Sequence, residues 1–180
     1  NFQVDPNDIS FDYETKAANK ETKEIPALLV GVQRETLASR LKILDRLKLN
    51  LGVIDCDAFA LCNLLEFNYG RIAGVVAIAN IGANSTQVVY LYNGEYVFNR
   101  EIGIGGVNYT SAISESLNIS FGAAEALKLK VCNLETQYPP SALEAVQQID
   151  QEFISEFEMS NEFFFQSGEA PIEENAMKGI

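Results

Sequence analysis

Residues 75–110 read VVAIANIGANSTQVVYLYNGEYVFNREIGIGGVNYT, and their pattern decides the fold. Residues 75–81 are a short apolar run, residues 86–92 are β-branched and aromatic, and Asn93-Gly94 between apolar segments is a strong hairpin signal because both residues tolerate positive φ. A third strand follows over residues 95–104. Val88, Tyr90 and Tyr92 fall on one face of the middle strand and Val89 and Leu91 on the other, so both faces of this antiparallel meander should be covered.

Two turns in this stretch carry the chemical suggestion. Asn80-Ile81-Gly82-Ala83-Asn84 leaves an apolar strand through glycine and small polar residues, where backbone N–H groups can approach an anion. Residues 103–110, GIGGVNYT, pass from a strand directly into a helical pattern, and a glycine-led helix N-terminus can hold a phosphate or a sugar edge. Both also read as ordinary turns. The spacing is not a dinucleotide fingerprint, which needs a parallel βαβ unit rather than a meander.

These residues carry a family resemblance. Asn80-Ile81-Gly82-Ala83 after an apolar strand, the Asn93-Gly94 hairpin, Phe98-x-Arg100-Glu101-Ile102, Gly105-Gly106-x-x-Tyr109-Thr110 and Ala124-Glu125-Ala126-Leu127-Lys128 occur in this order. Together they resemble the PilM-type actin-like proteins of type IV pilus assembly, relatives of the division protein FtsA. The resemblance implies an α/β fold: an actin-like (ribonuclease H-like) half, built on the three-stranded meander plus helices, preceded by a small α+β subdomain.

The remaining sequence bounds the function. A chain of 180 residues suffices for one domain or two small ones, and no stretch approaches twenty apolar residues. The first residue is Asn and no secretion signal is visible, so the chain is expected to be a piece of something longer. A net charge of −12 argues against nucleic acid or an anionic membrane surface as the main partner. The acid is concentrated late, with no Lys or Arg between Ser141 and Ala176, which reads as a solvated face. With no histidine, histidine triads and mixed zinc sites are excluded, and Cys56, Cys62 and Cys132 lack metal-ligand spacing. They are expected to be buried free thiols in a reducing compartment, most simply the cytoplasm.

Along the chain, residues 1–15 read as an arm and strand containing Val4, Ile9, Phe11 and Tyr13, residues 16–24 as a charged loop, and residues 27–33 as a strand. Residues 35–50 form an amphipathic helix whose Leu37, Leu41, Leu44 and Leu47 are expected in the core. Residues 51–55 suggest a further strand, then a helix over 57–67 capped by Asp57 and a linker at 68–71. After the glycine turn, helices are predicted over 107–117, over 120–130 with Ser120 as cap, and from Pro139-Pro140-Ser141 onward. Val146, Ile149, Phe153, Phe157 and Phe164 make the last helix's apolar stripe, and Phe163-Phe164-Phe165 exceeds it enough to suggest a partner surface.

The resemblance divides the chain into a small partner-peptide subdomain (1–56), a connecting helix and linker (57–74) and the second actin-like half (75–180). It places the second phosphate loop at Asn80, Gly82, Ala83 and Asn84, the sugar-side segment at Gly105 and Gly106, and adenosine-side positions at Glu125 and Lys128. ATP with Mg²⁺ is implied for a complete parent, with no tight binding expected of this chain alone, because the first phosphate loop and the later adenosine motif have no counterpart here. Asn80 stands where the superfamily usually has Asp, and an amide brings no charge to a hard cation. No catalytic residue and no protein-held metal is therefore expected. The implied role is a cytoplasmic scaffold, peripheral at the inner membrane. It would bind the cytoplasmic N-terminal peptide of a PilN-type membrane protein, contact motor and platform components, and self-associate through its sheet edge. A sugar- or acetate-kinase-like phosphotransferase would need a catalytic carboxylate and the first loop. A membrane-tethering filament protein would need an amphipathic C-terminal helix, for which residues 169–180 are too acidic and short. The cytoplasmic domain of a type II secretion platform is the nearest alternative.

Overall fold

The computed structural model describes residues 5–15, 23, 25 and 27–166, and the chain separates into two compact units, Asn1–Ile54 and Asp55–Ile180. The loop expected over residues 16–24 lies outside the described residues apart from Lys23. Val4, the stretch 169–180, and the side chains of Phe163, Phe164 and Phe165 are also outside them.

The first unit opens with a single 3-10 turn at Pro6–Asp8, where Asp5 Oδ1 accepts the Asn7 amide at 2.9 Å. Strand β1 (Ile9–Thr15) pairs antiparallel with β2 (Ala27–Gln33), and helix α1 (Arg34–Arg46) follows without a break. The register places Phe11 opposite Gly31 and Tyr13 opposite Leu29 on one face. That face is open: Phe11, Tyr13 and Leu29 are 65%, 64% and 49% exposed.

Two expectations for this unit are corrected. Helix α1 stops at Arg46 rather than running to residue 50, because Leu47 caps it and Lys48 turns left-handed at φ 53°. None of its residues is buried, so its leucine stripe is not core. A two-stranded ribbon is too narrow to enclose a helix face, however regular the pattern. The strand expected at residues 51–55 also fails to form. A strand is defined by a ladder to a neighbour, and among the described residues this segment has none.

The second unit is organised around a three-stranded antiparallel sheet ordered β3 (Val75–Ile81), β4 (Thr86–Tyr92), β5 (Glu95–Ile102). The hairpin forms at Asn93 (φ 52°) and Gly94 (φ 78°), as the sequence indicates. Asn93 also ties the preceding linker down, accepting the Gly74 amide on Oδ1 and donating its own amide to the Gly74 carbonyl, both at 2.8 Å. Strand β5 ends at residue 102 rather than 104, and a bulge puts Val97 out of step, since Tyr90 pairs with Phe98 and Leu91 with Tyr96.

Strand β4 is buried on both faces, as its pattern requires. Val88 and Tyr90 lie under Ile149, Phe153 and Phe157 of helix α5 (Pro140–Gln166), with Phe98 stacked on Tyr90 at 4.7 Å. Tyr90 Oη donates to Asn161 Oδ1 at 2.7 Å, which satisfies the one polar atom of an otherwise apolar layer. On the other face Val89 and Leu91 pack with Ala58, Leu61 and Leu65 of helix α2 (Asp57–Tyr69). Each such fully buried aliphatic side chain contributes roughly 1.5–3 kcal/mol.

Helix α2 starts at Asp57, as expected, but with a different cap. Cys56 is its cap residue, and Asp57, predicted to be the cap, sits inside the first turn, where its charge suits the helix dipole. The Cys56 amide is taken by Asp55 Oδ1 at 2.8 Å. The helix runs on to Tyr69, through part of the predicted linker.

Helices α3 (Gly106–Leu117), α4 (Phe121–Cys132) and α5 enclose a second apolar cluster of Ile113, Ala124, Ala142 and Val146. Ser120 caps α4 as predicted, accepting the Ala123 amide at 3.3 Å, and Pro140 opens α5. The thiols are free, but they are not all buried: Cys56 and Cys62 are half-buried and Cys132 is exposed. Cys132 is the last residue of α4, where the chain turns back toward solvent. Burial pushes the Cys62 thiol up, with Cys56 beside it adding to the shift.

Two features lend themselves to measurement. Leu134 follows α4 in the left-handed region (φ 61°) and is 91% exposed, so its side chain packs on little while its backbone is strained. Leu134→Gly is expected to raise the stability of the unit by about 1 kcal/mol, read as a higher urea midpoint at unchanged slope. Tyr109 Oη donates to Asp150 Oδ1 at 2.9 Å, and burial, this bond and the aspartate charge push the phenol from 10.0 up to about 12. A raised folded-state value gives a stabilisation that is complete below pH 10 and lost as pH rises from there through about 12. Tyr109→Phe should flatten that alkaline fall in denaturation titrations, leaving the smaller contributions of Tyr90 and Tyr138, which burial also shifts upward.

Candidate functional site

The two glycine turns meet. The first lies between β3 and β4, where the Gly82 amide donates to the Ser85 carbonyl at 2.9 Å. The second joins β5 to α3. Two hydrogen bonds join the turns: Gly106 N–H to the Gly82 carbonyl at 3.0 Å and Val107 N–H to the Ala83 carbonyl at 2.7 Å. Gly105 is required by this approach rather than by its backbone angles. A Cβ there would stand 2.7 Å from both the Ala83 oxygen and the Ser85 nitrogen.

This contact decides where an anion can be held. The first amides of α3 are already paired, since Gly106 and Val107 bond to the neighbouring turn and Asn108 N–H bonds to the Gly105 carbonyl at 3.0 Å. Asn108 Oδ1 in turn accepts the Gly105 amide at 2.9 Å, so the two residues bond each other reciprocally, with the Gly105 carbonyl in the place a capping side chain would take. The N-terminus of α3 is therefore not an open anion site. The Ala83 and Asn84 amides make no hydrogen bond among the described residues, and both residues are exposed. Two unpaired N–H groups on a glycine turn are donors suited to a phosphate, so the turn fits that group. The Asn80 side chain is exposed at the end of β3, next to them.

Glu125 and Lys128 are brought to the same place from α4. Lys128 Nζ donates to the Gly106 carbonyl at 2.9 Å, to Thr110 Oγ1 at 2.8 Å and pairs with Glu125 Oε2 at 2.7 Å. An ammonium has three donors, and all three are engaged. Thr110 is fully buried, and its hydroxyl also contacts the Gly106 carbonyl and Glu125 Oε2. Its single proton serves one of these while its oxygen accepts from Lys128. The hydrogen bonds from Lys128 and then Thr110 hold the Glu125 carboxyl below its ordinary value of 4.5.

Of the eight positions singled out in the sequence, Gly82, Ala83, Gly105, Gly106, Glu125 and Lys128 form one connected cluster, while Asn80 and Asn84 flank it with exposed side chains. Thr110 was missed as the hub. Its signal was a hydroxyl on the apolar face of α3, one turn after Gly106. Ser85 and Glu101 were missed as well, and their side chains are joined by a 2.6 Å hydrogen bond. Among the described residues no group of three or more Cys, Asp or Glu could hold a metal by itself, and no helix is long and apolar enough to cross a membrane.

Comparison with known proteins adds three findings. The family described as type IV pilus assembly protein PilM matches residues 2–175. A chain of the PilM-PilN type IV pilus biogenesis complex superposes with a TM-score of 0.74 at 25% identity over 92% of this chain. The present chain spans 48% of that relative's length. The ethanolamine utilization protein EutJ from Carboxydothermus hydrogenoformans gives a TM-score of 0.41 at 13% identity, over 88% of this chain and 74% of its own. With the meander, the joined glycine turns and a family match covering nearly all of its residues, this chain belongs to the PilM family of actin-like type IV pilus assembly proteins.

Proposed function

We propose that the chain is part of a non-catalytic cytoplasmic scaffold of type IV pilus assembly, peripheral at the inner membrane through a partner. In this reading it engages the cytoplasmic N-terminal peptide of a PilN-type membrane protein and holds a nucleotide as a structural ligand at the joined turns. The observation that supports it most is the likeness to a chain of the PilM-PilN complex over 92% of the present residues. The open face of the first unit, with Phe11, Tyr13 and Leu29 in one row, offers an apolar peptide a surface of the right kind.

For the nucleotide, the Ala83 and Asn84 amides are the donors left for phosphate, and Gly105 and Gly106 stand on the sugar side. Bound ATP would bring its own negative charge and its cation to this turn. Glu125 and Lys128 act in this arrangement by fixing the Gly106 carbonyl, because every donor of the ammonium is already committed. Among the described residues the cluster presents no carboxylate free to act as a base, since Glu125 is ion-paired.

Calorimetric titration with the N-terminal cytoplasmic peptide of the neighbouring membrane-anchored pilus protein should show saturable binding. Tyr13→Glu should weaken it by roughly tenfold or more, the loss expected for an aromatic contact residue; binding unchanged by that substitution would rule the face out. At the turns, Gly105→Ala should force the two backbones apart at a cost of roughly 1–3 kcal/mol. Amide exchange at Gly106 and Val107, measured by mass spectrometry, should accelerate accordingly.

A further inference from the structure

The net charge of −12 is not spread evenly along the chain. Residues 1–54 carry eight basic and eight acidic residues, so the whole excess belongs to the second unit. Five of those eight basic residues lie on α1 or just past it, where Arg34, Arg40, Lys42, Arg46 and Lys48 stand against Glu35 and Asp45. Helical spacing sorts them further. Ile43 is three residues after Arg40, three before Arg46 and four before Leu47, so these four share one flank of the helix, and all four are exposed. Asp45 is two residues from both Ile43 and Leu47 and faces away, while Glu35 is more than a turn before Arg40. Among the described residues neither Arg40 nor Arg46 has an ion pair. Leu49, Leu51 and Val53 extend the exposed apolar surface beyond the helix.

We infer that this flank of α1 docks directly on an anionic phospholipid surface, with Ile43 and Leu47 at the edge of the acyl region and Arg40 and Arg46 on the headgroup phosphates. The pairing follows from charge and shape. Basic and aliphatic side chains together on a helix are the composition of helices that lie in the plane of a membrane interface. A helix flank is convex, and a fluid bilayer conforms to it without needing a groove. The −12 of the whole chain does not prevent this, because at about 0.15 M salt an exposed charge is felt over roughly 8 Å. A surface touching α1 therefore meets the local excess of positive charge. The flank is also separate from the proposed peptide face. Helix α1 lies against β2, whose Leu28 and Val30 are half-buried, whereas Phe11, Tyr13 and Leu29 are on the ribbon's other face. Lipid and peptide can be held at the same time, and the lipid contact adds to the hold that a membrane-anchored partner gives.

The test is flotation of the full chain with unilamellar vesicles. The chain should float with vesicles of one part phosphatidylglycerol to two parts phosphatidylcholine, stay behind with phosphatidylcholine alone, and be released as salt is raised. Arg40→Glu combined with Arg46→Glu should lower the partition by roughly tenfold or more. Ile43→Ser should weaken it by roughly threefold or more while leaving the salt dependence in place, which separates apolar insertion from attraction alone. Equal flotation with both vesicles, flotation with neither, or binding unchanged in either variant would overturn the inference. Both variants should bind the pilus-protein peptide as the unaltered chain does, so the peptide reading and the lipid contact fail separately. The three substituted side chains are exposed, and their replacement does not put the helix at risk.

Discussion

Burial of β4 from both sides is the constraint on which the second unit depends. A strand apolar on alternate faces needs two layers, and α2 and α5 supply them from sequence positions far before and far after it. Once α5 lies across Val88 and Tyr90, its preceding turns are fixed against α3 and α4, and the second cluster around Ile113 follows. The glycine turns at the end of the sheet inherit this rigidity. Their spacing is set by the sheet and by α3 rather than by loop residues, so ligand groups there sit on a stiff support.

Much of this unit was legible because its signals are local. Alternation in residues 86–92, the Asn93-Gly94 turn, Ser120 and Pro140 each declare their role within a few residues. The larger failures concern partners distant in sequence. The leucines of α1 have a regular period, yet a period shows only which face could be buried, and a two-stranded ribbon gives that face too little cover. Residues 51–55 have strand composition without a strand to join.

The candidate site divides in the same way. Its glycines could be picked out by type and position, and the family pattern supplied Glu125 and Lys128. That Gly105 is glycine because another backbone lies against it, and that Thr110 gathers three polar groups, are facts of tertiary contact.

The amides of Gly106 and Val107 make α3 an extension of the first turn. A loop would absorb a small displacement at residues 82–85 by bending, but a helix held at its first residues transmits it along its axis. Thr110 and Lys128 carry the same displacement sideways into α4. The first turn, α3 and α4 are thus tied into one stiff piece, in which residues 82–85 have no slack of their own.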